Sequence, residues 1–223
     1  MRAELSVVIP TLDAAAALPR TLGALMEGLE AGLVRELIIS DGGSGDATRA
    51  MAEEVGAIWT SGAPSRGGQL RRGVDASAGA WVLVLHADTV LPEGWSGVVE
   101  RQISRGRPGY FLLGFDAEGL APKVVAGWAN LRSRVFGLPY GDQGLLISRA
   151  EYNAVGGYVD APLMEDVAMA RALGARLEAM PLRVRTSAAR YIQDGWMRRG
   201  GRNLLLLMRY LCGADPERLR ARY

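Results

Sequence analysis

The chain has 223 residues, 49% hydrophobic and 22% charged, with a net charge of +2 and an isoelectric point near 8.9. This is ordinary globular composition at a length suited to one large domain, and the charge is too mild to argue for nucleic acid as a partner. A lone cysteine, Cys212, excludes an internal disulfide and a cysteine-rich zinc site.

The N-terminus enters strand pattern directly, without the features of a signal peptide, and no apolar run approaches membrane-spanning length. The cytoplasm is therefore the expected compartment. Leu5 to Ile9 (LSVVI) reads as a first strand stopped by Pro10, followed by a polar turn at Thr11 to Asp13 and a helix from about Ala15 to Leu29. A second strand, Glu36 to Ser40, runs into DGGSGDAT, Asp41 to Thr48. Its glycines permit tight turning, and Ser44 or Asp46 can cap the next helix. A third strand, Ala57 to Ser61, leads to the basic, glycine-rich segment SRGGQLRRG, Ser65 to Gly73.

Val82 to Leu85 is a continuous apolar run suited to a strand buried on both faces of a parallel sheet. Where it ends, His86 and Asp88 stand two residues apart, so at β spacing their side chains leave the same face at the strand's carboxyl end. Open α/β sheets hold their ligands there. A carboxylate beside an imidazole suits a divalent cation bridging phosphates. The β-α-β-α-β-α-β alternation to this point predicts an α/β fold with a mostly parallel sheet and helices on both faces.

Beyond it the alternation is lost. Gly94 to Arg105 reads as a helix, Tyr110 to Phe115 as a strand, and Lys123 to Phe136 as an amphipathic helix. A glycine-punctuated loop carrying Asp142 and Gln143 precedes a strand at Leu145 to Ile147. Glu165 and Asp166 open a helix, where its dipole favours negative charge. Arg183 to Ser187 reads as a last strand, and the chain is helical and basic from Gly195 to Tyr223. For that last helix, LLLLM among arginines fits core packing with a solvated basic edge. The competing readings are peripheral contact with an anionic membrane and a homodimer seam.

Several motifs compete at DGGSGDAT. Gly43, Gly45 and Thr48 approximate a dinucleotide fingerprint, but Asp41 would face the pyrophosphate and no acid follows about twenty residues later. A nucleophile elbow at Ser44 has Asp46 where glycine is needed, and the only histidine, His86, would have to serve it. Arg66, Arg71 and Arg72 suit phosphate neutralisation if they reach the same sheet edge.

Taken together, SVVIPTLDA, ELIISDGGSGDAT, GAWVLVLHADT and VGGY with MEDVAMARAL resemble the family 2 glycosyltransferases. The motif order matches to about Leu173. RSRVFGLPYGDQG and TSAARY are similar to the short bacterial members described as radical-SAM- or selenodomain-associated, linked in some cases to arsenosugar biosynthesis. The resemblance implies a GT-A fold in one domain, 1–223, with a nucleotide-binding half at 1–90, an acceptor and catalytic half at 91–190, and a helical segment at 191–223. It implies an inverting transferase acting on a nucleotide-diphosphate sugar and an acceptor hydroxyl. Pro10, Thr11 and Asp13 would border the nucleotide and Asp41 would contact its base, with Gly42, Arg66 and Arg71 also at the nucleotide side. Asp88 would hold Mn²⁺ or Mg²⁺, and Asp166 would be the catalytic base, with Glu165 its competitor. Asp142 and Gln143 would contact donor or acceptor. His86 stands where the family commonly has Asp, which shifts the metal preference toward Mn²⁺ or moves His86 onto ribose or phosphate. Nucleotidyl transfer on a similar fold, and sugar-nucleotide binding without turnover, are the alternatives. The first expects a basic glycine-rich signature where this chain reads TLDAA.

Overall fold

Strand β1 (Leu5–Thr11) pairs in parallel with β2 (Val34–Asp41) on one side and β4 (Trp81–Val84) on the other, and β2 pairs in parallel with β3 (Ile58–Ser61). These strands are joined by α1 (Leu18–Glu30), α2 (Thr48–Glu54) and α3 (Arg66–Asp75) in a computed structural model that describes residues 3–221. The outermost residues assigned above to the chain ends, 1–2 and 222–223, lie outside the described residues. Alternation along the strands sends side chains to opposite faces. Leu5, Val7, Ile9, Leu83 and Leu85 pack with Leu18 and Leu25 of α1 and Ala52 of α2. Val8, Val82 and Val84 pack with Leu70 and Val74 of α3 on the other face. Apolar surface removed from water on both faces, at ~25 cal/mol per Å², fixes the register of the two central strands.

Past β4 the sheet becomes mixed. The elements are β5 (Thr89–Val90), α4 (Trp95–Ser104), β6 (Gly109–Phe115), α5 (Leu120–Phe136), a 3-10 turn (Gly141–Gln143), β7 (Leu145–Ser148), α6 (Arg149–Ala154), α7 (Glu165–Leu173), a second 3-10 turn (Gly174–Arg176), β8 (Glu178–Thr186), α8 (Ala189–Asp194), α9 (Trp196–Leu211) and α10 (Pro216–Arg220). The strand order is β3-β2-β1-β4-β7-β6-β8-β5. Strand β7 runs antiparallel to β4 and β6, while β8 is parallel to β6 and antiparallel to β5. Trp95 anchors α4: it is fully buried, and its indole N–H donates to the Ala24 carbonyl at 2.9 Å.

Several element bounds depart from the sequence pattern, among them the following. Strand β1 continues through Pro10 to Thr11 because pairing with β4 ends at Val8, and Pro10, two residues on, turns its missing N–H to that vacated side. Helix α1 starts at Leu18 rather than near Ala15, with Pro19 in its first turn, where no intrahelical donor is needed. The two-residue β5 carries too little pattern to be read. Strand β8 begins at Glu178, five residues before Arg183, and accommodates Pro181 at a register shift against β6 between Tyr110 and Leu112.

The start of α3 is pinned by a close backbone approach. Ser65 Oγ accepts the Gly68 N–H at 3.4 Å and donates to Asp160 Oδ1 at 2.5 Å, while the Gly67 N–H donates to the Ala161 carbonyl at 3.0 Å. A Cβ on Gly67 would overlap the Val159 carbonyl oxygen and stand 2.7 Å from the Ala161 nitrogen, both of them backbone atoms that cannot rotate away. Gly67→Ala is expected to lower stability by ~1–3 kcal/mol through overpacking, read as a drop in thermal midpoint. An unchanged midpoint would mean that the 159–161 segment yields freely.

Candidate active site

The carboxyl ends of β1 and β4 open into a cleft of about 530 Å³. Its lining includes Pro10, Thr11 and Asp13 from the end of β1, Arg66 from α3, and His86 and Asp88 beyond β4. Asp142 and the α7 acids Glu165 and Asp166 complete the acidic side. Gly42, Arg71 and Gln143 are not part of the lining, and neither is Asp41.

Two loops are knitted together at the nucleotide side. Thr11 Oγ1 and Ser44 Oγ donate to Asp41 Oδ1 at 2.8 and 2.5 Å, and the Gly43 and Ser44 N–H groups donate to Oδ2, both at 2.7 Å. These bonds hold the Asp41 carboxyl below its ordinary value against the opposing effect of burial. With each oxygen already accepting two bonds, a base seated on Asp41 would have to displace one of them. Asp13, at φ 49°, accepts the Gly45 N–H on Oδ1 at 2.8 Å and donates its own N–H to Ser44 Oγ at 2.8 Å.

Three expectations for this side are corrected. Gly42 is buried and donates its N–H to the Thr11 carbonyl at 2.8 Å, so it closes the turn rather than facing a ligand. Arg71 lies exposed on the outer side of α3, because residues five apart on a helix point in different directions from Arg66. Arg72 donates to the Asp41 carbonyl at 3.1 Å and braces the loop.

At the acidic side, His86 and Asp88 do share one cleft, half-buried at its floor. Burial drives the His86 imidazole well below its ordinary value, with Arg66 and Arg190 pushing the same way, so it is neutral at pH 7. Burial raises the Asp88 carboxyl, which Arg66 and Arg190 partly offset. Asp142 is pushed up to about 6 by burial, with Arg132 opposing and Asp166 and Asp88 reinforcing the shift. Arg132 is itself buried, 3.4 Å above the Tyr140 ring, and its Nε donates to the Leu138 carbonyl at 2.9 Å.

Asp166 Oδ2 accepts the Gly141 N–H at 2.7 Å, and Oδ1 accepts the Val167 N–H at 2.7 Å in the first turn of α7. Gly141 is the spacer between Asp166 and His86. A Cβ there would stand 2.5 Å from His86 Nε2 and 3.5 Å from Asp166 Oδ2. Glu165 is 1% exposed, and neither of its side-chain oxygens has a hydrogen-bond partner. Arg66 Nε stands 3.8 Å from its Oε1, beyond hydrogen-bond reach. Burial first and the Asp166 charge second raise its carboxyl to about 8, so Glu165 keeps its proton at neutral pH.

Gln143 is the other correction. It is fully buried, donates Nε2 to the Phe111 carbonyl at 3.0 Å, and accepts from Ser133 Oγ at 2.7 Å and the Tyr140 N–H at 3.3 Å. Its amide is committed to holding the loop, so it cannot reach donor or acceptor. The sequence reading missed Arg190, just past β8, which lines the cleft and acts on His86 and Asp88. It also missed the far wall, built by Tyr191 of α8, Arg199, Asn203 and Leu206 of α9, and Arg220 of α10. The segment TSAARY held Arg190 in view, but nothing local says that it faces Asp88.

Among the described residues no three metal-ligating side chains cluster, so the protein offers no ready-made cage. What it offers is an oxygen-rich edge: the raised carboxyl of Asp88, the neutral His86 imidazole, and Asp142, whose buried Oδ1 has no hydrogen-bond partner. The carboxylates of that lining would suit a hard divalent cation only with phosphate oxygens and water supplying most of its shell, since no three of these side chains converge.

The family model described as glycosyl transferase family 2 matches residues 6–124. Among solved structures, the mannosyltransferase PcManGT of Pyrobaculum calidifontis, in complex with GDP-Man and Mn²⁺, aligns with a TM-score of 0.67 at 14% identity, covering 97% of this chain and 67% of that one. Glucosyl-3-phosphoglycerate synthase of Mycobacterium tuberculosis, with Mn²⁺, UDP and phosphoglyceric acid, aligns at 0.63 and 20% identity over 95% of this chain and 79% of that one. S. aureus TarS 1-349 with UDP-GlcNAc aligns at 0.60 and 12% identity over 82% of this chain. The chain spans 62% and 58% of the two TarS 1-349 structures so compared. At these identities the likeness is one of fold. No curated protein matches the chain in sequence.

The buried acid makes a prediction about stability. Because the folded state holds the Glu165 proton up to about pH 8 and the unfolded chain releases it near its ordinary value of 4.5, the folded state binds more protons between those limits. Glu165 should therefore subtract stability progressively as pH rises from about 4.5 to 8. His86, whose ordinary value is 6.5, is present in parent and variant alike, so its contribution cancels when the two are compared. Glu165→Gln is expected to raise the thermal midpoint relative to the parent by an amount that grows from pH 6.5 to 8. A pH-independent difference would mean that Glu165 ionises normally.

Proposed function

The chain belongs to glycosyl transferase family 2, whose model covers its strand-end loops through residue 124, and from that premise we propose that it moves a sugar from a nucleoside diphosphate to an acceptor hydroxyl with inversion at the anomeric carbon. The observation that carries this reading is the gathering of charge in one cleft: Asp88, with the guanidinium groups of Arg66 and Arg190 acting on it, and the Asp166 carboxylate at the start of α7. Relatives of the same fold are complexed with UDP-GlcNAc and with GDP-Man and Mn²⁺, which supports a nucleotide-sugar donor of this class.

The residues divide the work by charge. Pro10, Thr11 and Asp13, braced by the Asp41 loop, border the nucleotide. Arg66 and Arg190 set positive charge against the diphosphate as it departs with the bonding electrons, which lowers the barrier most in a water-poor cleft. Asp88, with His86 or Asp142, would hold Mn²⁺ or Mg²⁺, which when bound supplies further positive charge against the same phosphates. Asp166 takes the proton of the acceptor hydroxyl while its oxygen attacks from the face opposite the leaving group. Glu165 is the poorer base of the two, because burial raises its carboxyl and neither of its oxygens makes a hydrogen bond that would orient it. Asp142 stands beside these groups as a donor or acceptor contact.

The same proposal treats the chain as one catalytic domain working in the cytoplasm. It also keeps the narrower likeness to the short bacterial radical-SAM- or selenodomain-associated members. The support is residue-level: the segments behind that likeness, Arg132 to Gly144 and Thr186 to Tyr191, supply Gly141, Asp142 and Arg190 to the cleft.

Single-turnover transfer with both substrates saturating tests the base. Asp166→Asn should lower it by ~10²- to 10⁴-fold with donor binding retained, while Glu165→Gln should cost much less. Near-normal transfer by Asp166→Asn would remove it from that role. Calorimetry tests the metal side: Asp88→Asn should abolish the Mn²⁺-dependent gain in affinity for the nucleoside diphosphate. A gain that persists would move the cation elsewhere.

A further inference from the structure

Helices α5 and α9 pack on each other, and each turns a stripe of large apolar side chains away from the fold. On α5 the stripe is Leu120, Val124, Trp128, Leu131 and Val135, three or four residues apart and between 48% and 77% exposed. On α9 it is Met197, Leu204, Leu205, Met208 and Leu211, between 39% and 73% exposed. Leu206 and Leu207, on the other side of α9, are buried with Leu163, Val167 and Leu219, so the core-packing expectation holds for that side only. Single exposed apolar residues are ordinary, but two helices in contact that each present a row of them are of the kind that marks an interaction surface.

Charge identifies the occupant. Neither helix contains an Asp or a Glu, and the side chains beside the stripes include Lys123 and Arg134 on α5 and Arg198 and Arg209 on α9. The acids nearest in sequence, Glu118, Asp194 and Asp215, lie beyond the helix ends. Asp194, just before α9, is engaged by Arg199 Nη1 and Arg202 Nη2, each at 2.7 Å. An apolar stripe edged by cations alone is the pattern of a helix lying in the plane of an anionic bilayer, with its apolar side at the acyl boundary and its cations among the headgroups. No helix among the described residues is long and apolar enough to cross a membrane, so the contact would run along the surface. Trp128, in the middle of the α5 stripe, is a residue type favoured at headgroup depth.

We propose that the paired faces of α5 and α9 dock this protein onto an anionic lipid bilayer. A second copy of the chain fits the same faces less well. In an isologous dimer the cationic edges of one copy would meet those of the other, with no acid between them. The proposal does not depend on the transferase reading, but it sets the cleft beside the membrane, because Arg199, Asn203 and Leu206 of α9 line the cleft from within.

Co-sedimentation of the full chain with phosphatidylcholine vesicles, with and without phosphatidylserine, tests it. The chain should partition onto the serine-containing vesicles, be released by added salt, and ignore pure phosphatidylcholine. Trp128→Glu with Met208→Glu, two exposed changes outside the cleft, should lower that partition about tenfold or more while the thermal midpoint stays at the parent value. Should that pair melt early, Arg134→Gln with Arg198→Gln answers the same question through charge alone and should also weaken binding. No partition onto the anionic vesicles, or equal partition by parent and variants, overturns the proposal. A dimer in sedimentation velocity that Trp128→Glu with Met208→Glu dissociates would give the face to a second copy and overturn it too.

Discussion

Four carboxyl groups, Asp88, Asp142, Glu165 and Asp166, line one cleft, and the cost of burying them together is the constraint to which the surrounding structure answers. Unpaired charge in a low-dielectric site is too costly to hold in full, so protons, cations and dipoles must offset it. Each remedy is visible at a named residue. Glu165 keeps its proton, Asp142 rises to about 6, and Arg132 sits against the Tyr140 ring close enough to oppose the Asp142 shift. Asp166 takes two backbone N–H groups, one from the start of α7 where the helix dipole also favours it. Asp88 is left elevated, which is the condition of a carboxylate that gains from a cation.

The sheet explains why these groups meet. The ends of β1 and β4 carry one side of the cleft, and antiparallel β7 returns beside β4, so the loop that precedes it, with Gly141 and Asp142, comes back to the same end. That loop is anchored from beneath by Gln143, whose amide joins the Phe111 carbonyl of β6, Ser133 of α5 and the backbone of Tyr140. Gln143 therefore serves the site without touching it. The absence of a side chain at Gly141 then lets His86 and Asp166 close on the same backbone position.

Sequence made the parallel half legible because its signals are local. The apolar runs of β1, β2 and β4, the turn chemistry of DGGSGDAT, and the spacing of His86 and Asp88 each lie within a few residues. What escaped is whatever depends on a partner far along the chain. Arg71 and Arg66 look alike in SRGGQLRRG, and only the packing of α3 against the 159–161 segment decides which one enters the cleft. Asp142 and Gln143 are neighbours in one loop, yet one faces the cleft and the other is buried beneath it. Arg190 gains its place from the end of β8, a strand whose first half was hidden by Pro181. The order of Glu165 and Asp166 along the chain likewise says nothing of which keeps its proton, since that is set by burial.

The last helices join the two halves of the molecule's chemistry. Helix α9 has no acidic residue of its own, yet Asp194 before it binds both Arg199 and Arg202, so part of its positive charge is neutralised on the cleft side. Arg199 is buried by that pairing and lines the cleft, whereas Arg198, one residue earlier, is exposed on another side of the same helix. One helix thus divides its cations between an inner wall and an outer surface by the rotation of ~100° between successive residues. Because the apolar contacts of Leu206 and Leu207 fix that rotation, a change in how α9 seats on Val167 of α7 would move the cleft wall and the outer stripe together.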